Sequence, residues 1–151
     1  MRLTRFTDNA LRALIFLALE PTQVPTVGHV ARQMGMSEDH LLKVVQRLSQ
    51  LGYVQTIRGR KGGMRLAKPA DQIVVGTVIR QTEDNIAMAS CFEPDSDRCP
   101  IVSACALAPA FELALQSFFA TLDRYTVADL TVRNAELVQL TQRSATPTIA
   151  A

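Results

Sequence analysis

The sequence has no cysteine outside a single stretch of fifteen residues. Its three thiols, Cys91, Cys99 and Cys105, are spaced C-x7-C-x5-C. An odd number of cysteines cannot close into a disulfide framework. Thiols clustered in this way are instead typical ligands of a metal ion or an iron-sulfur cluster.

Long hydrophobic runs are also absent. A strongly apolar segment, residues 10–19, follows Arg2 and Arg5, but Arg12 interrupts it and no small-residue cleavage site comes after it. These features exclude a signal peptide, and the segment is too short to cross a bilayer. We therefore expect a cytoplasmic protein with no membrane contact, where the thiols stay reduced.

Enzyme signatures are missing as well. The chain has no phosphate-binding G-x-x-x-x-G-K-[ST] loop, no nucleophile–base pairing and no nucleotide fingerprint, which argues against an enzyme. Its charge is uneven instead. Residues 1–70 hold 11 Lys/Arg and 4 Asp/Glu (net +7), whereas residues 71–151 hold 5 and 10 (net −5). A basic half beside an acidic one is typical of a module that docks on DNA phosphates.

Cap signals predict three helices in the basic half. We expect them over residues 7–20, 26–35 and 37–52. Thr7-Asp8-Asn9, Thr26 and Ser37 supply the N-cap chemistry, and Gly35 and Gly52 end the second and third helices. Two short helices joined by a glycine-containing turn form a helix-turn-helix pattern.

A glycine-rich hairpin completes this pattern. Strands are expected at residues 53–57 and 64–66, and the tip between them is basic, which predicts a wing. The third helix would bury Leu41, Val44, Val45, Leu48 and Leu51 and enter the major groove. We expect base contacts from Ser37, Glu38, His40 and Lys43, and backbone contacts from Arg47 and the wing residues Arg58, Arg60 and Lys61. Each of these side chains could also be an ordinary solvated surface residue.

The acidic half reads as a connector, a loop and a long helix. A short strand or turn at 73–75 and a helix near 77–83 precede a polar, proline-containing loop at 89–105. Such a loop cannot bury itself, and a bound cofactor would order it. A helix over 106–125 then carries an apolar seam at spacings of 4, 3, 4 and 3. The seam consists of Phe111, Leu115, Phe118, Leu122 and Tyr125. Such a helix could pack on the chain's own core, but a seam this regular favours a homodimer, which suits a palindromic operator.

The expected architecture is mainly α with a small β wing. A winged helix-turn-helix plus a long dimerisation helix occupies residues 1–130, with the DNA-binding part at 1–70. A helical turn at 126–129, a short helix at 134–142 and a flexible tail to residue 151 complete the chain.

Four segments carry a family resemblance over residues 1–130. They are MRLTRFTD at 1–8, GRKGGMRL at 59–66, the three cysteines, and DRYTVADL at 123–130. With them the chain resembles the nitric-oxide-sensing repressors of the NsrR group, in the winged-helix iron-sulfur regulator family that includes IscR. The resemblance implies a homodimer that holds an inverted-repeat operator in double-stranded DNA while its cluster is intact and releases it when nitric oxide attacks the cluster.

The same resemblance assigns the cluster ligands. It implies that Cys91, Cys99 and Cys105 bind a 4Fe-4S or 2Fe-2S cluster, and Asp8 matches the carboxylate that, in some members, completes the coordination from the partner subunit. The interval between the first two cysteines is longer here than in the family pattern. Losing the Asp8 bond would then free the first helix and change the separation of the two recognition helices.

Reasoning from the residues leaves the fourth ligand open. Three thiolates are one short of four, and the only histidines, His29 and His40, lie in the DNA-reading half, so we expect an oxygen ligand. The candidates are Asp8, Glu93, Asp95 and Asp97. Without the resemblance, Asp8 reads as a plain N-cap.

Other regulators fit parts of the pattern. A structural zinc site would use the same thiolates, and a metal-free thiol sensor would form reversible disulfides. Within the family, a cluster-supply or redox-sensing regulator like IscR is the main alternative, but the histidine expected two or three residues after the third cysteine is absent. Ala106, Leu107 and Ala108 stand there.

Overall fold

The computed structural model describes residues 2–59, 62–89, 92, 100–101 and 104–143. Several predicted residues therefore lie outside the described residues. They are Arg60, Lys61, Cys91, Cys99, Glu93, Asp95 and Asp97, together with the tail beyond residue 143.

Six helices and one two-stranded sheet make up the described fold. The helices are α1 (Arg5–Leu19), α2 (Val27–Met34), α3 (Glu38–Gln50), α4 (Val75–Thr82), α5 (Leu107–Leu122) and α6 (Asn134–Arg143), and the strands are β1 (Val54–Ile57) and β2 (Gly63–Leu66). Three of the helices and the hairpin confirm the predicted winged helix-turn-helix. None of the helices is long and apolar enough to span a bilayer, among the residues that the structure describes.

Helix α1 begins earlier than predicted. Its N-cap is Thr4, whose Oγ1 accepts a hydrogen bond from the Thr7 N–H at 3.2 Å. The Asp8 N–H already donates to the Thr4 carbonyl at 3.0 Å, so Asp8 lies inside the first turn. The prediction that Thr7-Asp8-Asn9 cap this helix is wrong, because the hydroxyl of Thr4 does so one turn earlier.

The other predicted caps differ in how they work. Thr26 caps α2 as expected, since its Oγ1 accepts from the His29 N–H at 3.2 Å. Gly35 ends α2 with a φ of 62°, which favours glycine. Ser37 occupies the N-cap position of α3 but makes no capping hydrogen bond with its side chain. The first turn of α3 instead has Glu38 and Asp39, which favour the positive end of the helix dipole.

The main core joins the first three helices to the wing. Leu14 and Leu17 of α1 meet the buried stripe of α3, as predicted for Leu41 and Leu48, while Leu51 is only half-buried. Met64 extends this core into β2. Burying these side chains fixes α3 to α1, which sets the direction in which the outer face of α3 points.

The wing is an antiparallel hairpin tied to the helix-turn-helix. Val54 pairs with Leu66 and Ile57 with Gly63. The Met64 N–H donates to the Pro25 carbonyl at 2.9 Å, so the loop before α2 holds β2. A Cβ on Gly63 would lie 2.5 Å from that carbonyl oxygen, which explains the glycine.

A second core joins α4 to α5, and it includes residues of the predicted seam. Phe119 of α5 is buried against Val75 and Ile79 of α4, and Leu115, Phe118 and Leu122 pack around them. These seam residues therefore cover the chain's own core, contrary to the expectation that they face a second copy. The last seam residue, Tyr125, lies beyond the end of α5. The seam's regular spacing reflects packing on α4 and the residues around it.

The connectors are tighter than predicted. A 3-10 turn at Ala70–Gln72 precedes α4, and the expected strand at 73–75 is only a single bridge between Val74 and Thr126. A turn forms at 126–129 as predicted: the Thr126 N–H donates to Asp129 Oδ2 at 2.7 Å. Helix α6 follows and contacts α1 and α2.

Candidate DNA interface and cysteine site

Three of the predicted DNA contacts are held by neighbouring elements. A Cβ on Gly28 of α2 would lie 2.9 Å from Glu38 Oε2, so the Glu38 carboxylate rests on α2. The His40 ring lies 6.1 Å from the Phe6 ring of α1, centroid to centroid. Arg47 Nη2 donates to the Gln81 carbonyl at 3.3 Å. Both flanks of α3 are thus braced by the elements around it.

The outer face of α3 is free of such contacts. Its exposed residues between the braced flanks are Asp39, Leu42, Lys43, Gln46 and Gln50. Lys43 and the exposed Ser37 were predicted to contact DNA, whereas Leu42, Gln46 and Gln50 were not. The i+3 and i+7 spacing from Lys43 identifies the two glutamines. Leu42 carries no polar signal that would mark it as a surface residue.

The wing presents further basic groups. Arg58 is exposed just after β1, as predicted. Arg65 on β2 is also exposed, and its Nε and Nη2 donate to Gln55 Oε1 across the sheet at 3.1 and 3.0 Å. Sequence reasoning did not single out Arg65. Gly59 has a φ of 113°, which only glycine adopts easily, and turns the chain at the wing tip.

A groove of about 440 Å³ separates the recognition helix from the ends of α1 and α4. It is lined by Thr4, Phe6, Lys43, Gln46, Arg47, Gln50, Gln81, Thr82 and Asp84. The lining includes Lys43 and Arg47 but one carboxylate, Asp84, so it is net basic. The groove therefore continues from the Lys43 and Arg47 side of α3 toward the N-terminus of α1.

The C-terminal end of α4 is hydrogen-bonded to the start of α1. Thr7 Oγ1 donates to Thr82 Oγ1 at 3.0 Å in a buried contact. The Thr4 N–H and hydroxyl both donate to Glu83 Oε1, at 2.8 and 3.1 Å. The start of α1 is therefore fastened to the residues that lead from α4 toward the cysteine segment. Sequence reasoning missed these contacts because no local pattern pairs residues so far apart.

The same end of α4 reaches the base of the wing. The Tyr53 hydroxyl donates to Gln81 Oε1 at 2.6 Å. Burial raises the pKa of Tyr53 above its ordinary value, so this hydroxyl stays protonated and remains a donor. Lys68 Nζ lies 4.4 Å from the centre of the Tyr53 ring. Gln81 thus contacts both the recognition helix and the wing.

An ion pair clamps α4 to the chain just after α5. Arg80 Nη1 and Nη2 each donate to one oxygen of Asp123 at 2.7 Å. The hydrogen bonds from Arg80 hold the pKa of Asp123 below its ordinary value, and those to Asp123 raise the pKa of Arg80. Arg80 also stacks on Phe119, 4.1 Å from the ring centre. A Cβ on Gly76 would collide with the Asp123 carboxylate, so a larger residue would displace that carboxylate.

Two of the predicted cluster ligands are described. The side chain of Asp8 is 60% exposed, and its Oδ2 lies 3.7 Å from Arg12 Nη1, a weak contact that leaves the carboxylate largely exposed. Cys105 is a free, half-buried thiol just before α5. Within the described ranges, no group of three or more His, Cys, Asp or Glu side chains could hold a metal ion. Within one chain, Asp8 and the other described residues therefore do not form a complete metal site by themselves.

Comparisons with known proteins agree on the family. A family model named Rrf2 and described as an iron-dependent transcriptional regulator matches residues 3–133. The chain is 42% identical to the HTH-type transcriptional regulator NsrR of Bacillus subtilis over 93% of this chain and 97% of that protein. It is 43% identical to NsrR of Geobacillus kaustophilus over 93% and 96% of the two chains.

Solved structures show the same fold. The structure of CymR, the global cysteine regulator of B. subtilis, has a TM-score of 0.69 at 27% identity, covering 86% of this chain and 95% of that one. The structure of IscR from T. potens has a TM-score of 0.71 at 24% identity, covering 92% and 91%. The chain belongs to the Rrf2 family of transcriptional regulators, and it is a DNA-binding regulator of the NsrR type and not an enzyme.

Proposed function

We propose that this protein is a nitric-oxide-responsive repressor, cytoplasmic and homodimeric, that binds an inverted-repeat operator while it carries an iron-sulfur cluster. The observation that supports this most is the position of Asp8. Its accessible carboxylate lies in the first turn of α1, the helix whose buried face holds the recognition helix. A ligand at Asp8 would therefore act directly on the element that positions α3.

The donor set fits a cluster. Cys105 offers a free thiol, and Asp8 is neither a helix cap nor part of a strong ion pair. We propose that Cys91 and Cys99 supply two further thiolates, and that Asp8 comes from the partner subunit. When bound, a cluster supplies iron at which a small diatomic molecule can react. A carboxylate is a hard ligand and an iron-sulfur cluster is soft, so the carboxylate is displaced more easily than the thiolates.

The chain's own contacts provide a route from this site to DNA. The residues that lead toward the cysteines fasten the start of α1 through Glu83 and Thr82. Gln81, directly before them, contacts Arg47 of α3 and Tyr53 at the wing. A shift at either end of this chain of contacts would therefore move the recognition helix and the wing together. A coupling of about 1–3 kcal/mol would change operator affinity by roughly 5- to 150-fold.

The outer face of α5 suits the dimer contact. Leu115, Phe118 and Leu122 cover the chain's own core, so the opposite side of α5 is the free one. That side is uncharged and built from Ala110, Leu113, Ser117 and Ala120, and Leu113 is 65% exposed. Small side chains around one exposed leucine allow two helices to approach closely.

Anaerobic purification followed by titration with nitric oxide tests the proposal. We expect the protein to hold iron and sulfide, to show a visible absorption band, and to lose operator affinity as nitric oxide is added. The variants Cys91→Ala, Cys99→Ala and Cys105→Ala should each lose the bound iron, because two thiolates are too few to hold it. A colourless protein with bound zinc would instead indicate a structural zinc site. Disulfides formed by peroxide in a metal-free protein would indicate a thiol sensor.

A further inference from the structure

One residue on the outer face of α3 differs in kind from its neighbours. Leu42 is 50% exposed. All of α3 lies within the described residues, and its other exposed side chains are polar or charged: Glu38, Asp39, Lys43, Gln46, Arg47 and Gln50. An apolar side chain in water at this point of a DNA-binding helix cannot assist phosphate binding.

The surroundings of Leu42 leave it open to a partner. Glu38, one turn earlier on the same side, rests on Gly28 of α2. His40 and Arg47 are held on the opposite flank by Phe6 and Gln81. Leu42 therefore stands among the unbraced residues in the first turns of α3, which is where helix-turn-helix proteins contact base edges.

The chemistry of the major groove then limits what Leu42 can contact. Base edges there present hydrogen-bond donors, acceptors and one apolar group, the C5 methyl of thymine. A leucine neither donates nor accepts, so burial against that methyl is the contact that lowers the free energy of binding. We propose that Leu42 is a specificity-determining residue that recognises a thymine through its methyl group. This inference rests on the DNA binding of the proposed function.

Deoxyuridine substitution tests it, because the change removes only the thymine methyl. A high-affinity duplex is first selected from a random pool by the unmodified, cluster-loaded protein, and each thymine is then replaced in turn. We expect one thymine in each half-site at which the loss of the methyl weakens Kd about fourfold, the equivalent of about 0.8 kcal/mol per buried methyl. Replacing the other thymines should leave the contribution of Leu42 to Kd nearly unchanged.

Variants at Leu42 complete the test. Leu42→Ala should bind the thymine and uracil duplexes equally at that position, whereas Leu42→Met, which keeps a long apolar side chain, should still distinguish them. Val132→Ala shortens an exposed apolar residue outside the DNA-binding half and should behave like the unmodified protein. If Leu42→Ala retains the same sensitivity to uracil at every position, the inference is wrong. If the unmodified protein selects no duplex at all, the proposed function fails instead.

Discussion

Asp8 is the residue on which the proposed mechanism depends, and its role as a ligand can be separated from any role in folding. Thr4 caps α1, so a change at Asp8 leaves the cap intact. The Asp8→Asn variant should therefore unfold at the same temperature as the unmodified protein when both lack a cluster, since an exposed ion pair contributes about 0–1 kcal/mol. With the cluster, it should show an altered visible spectrum and at least about fivefold weaker operator binding.

A matched control for Asp8 is available in the same chain. Asp71 is an exposed carboxylate in the 3-10 turn before α4, so Asp71→Asn removes the same charge away from the proposed site. We expect it to leave spectrum and affinity unchanged. An Asp8→Asn protein with an unaltered spectrum, nitric-oxide response and affinity would transfer the ligand role to Glu93, Asp95 or Asp97.

The ion pair of Arg80 and Asp123 makes stability depend on acid pH. The pKa of Asp123 in the folded protein lies below its ordinary value because Arg80 donates two hydrogen bonds to it. The stabilisation is therefore present above the ordinary value of about 3.9 and is lost as the pH falls through the lower, folded value. Asp123→Asn should have a lower unfolding midpoint than the unmodified protein at pH 7, and the gap should close below about pH 4.

Thermal unfolding at several pH values measures this gap. Asp129, whose pKa is also lowered because Thr126 donates hydrogen bonds to it, is present in both proteins and cancels from the comparison. Asp71→Asn again serves as the control and should show no comparable gap at pH 7. A gap for Asp123→Asn that is equally large at pH 7 and pH 3 would mean that the ion pair is not its cause.

Local signals predicted the helices better than they predicted what each helix face does. The caps at Thr26 and Gly35 and the stripe of α3 act between neighbours in sequence, so they could be read directly. The contacts of Thr4 with Glu83 and of Thr7 with Thr82 join residues more than seventy positions apart, and no local pattern encodes them. For the same reason, the braced flanks of α3 could not be told from its free face.

Helix α5 illustrates this limit most clearly. Both sides of this helix are apolar. The sequence alone therefore does not show which side packs on the chain's own core and which contacts a second copy. Its regular seam predicted the contact with a second copy, but Leu115, Phe118 and Leu122 pack in the second core. The periodicity identified the helix and could not decide between the two faces.

A charge on the outer face of α5 should therefore prevent dimerisation. We expect Leu113→Glu to convert the dimer to a monomer at micromolar concentration, because each copy would bury a carboxylate in an apolar contact. Sedimentation equilibrium measures this directly. Val132→Glu adds the same charge at a residue that is 81% exposed outside α5, and it should remain dimeric. A dimeric Leu113→Glu protein would exclude this face of α5 as the interface.

The contact between α1 and α4 should transmit the signal between the two halves. Glu83→Ala removes both acceptor contacts with Thr4 while leaving the buried hydroxyl pair of Thr7 and Thr82 in place. We expect the ratio of operator affinities with and without the cluster to fall severalfold, with the fold intact. Glu136→Ala, an exposed carboxylate on α6, is the control. An unchanged ratio in Glu83→Ala would remove this contact from the route.

The division of charge across the molecule sets how strongly salt should affect DNA binding. The DNA-reading half carries a net +7, and Arg58 and Arg65 on the wing and Lys43 on α3 are exposed there. The remaining half carries a net −5, which keeps it away from the phosphates. Affinity should therefore fall steeply with salt, and the slope should report how many phosphates the basic half contacts.

Removing one phosphate contact should lower that slope by a known amount. We expect Arg58→Ala to reduce the slope of log K against log salt by about 0.9 for each protomer and to weaken specific and random duplexes alike, and Arg60→Ala with Lys61→Ala to reduce it further. Lys43→Ala should instead change the preference among duplexes. Arg133→Ala removes an exposed charge from the acidic half and should leave the slope unchanged. Equal slopes for Arg58→Ala and Arg133→Ala would show that Arg58 does not contact the phosphates.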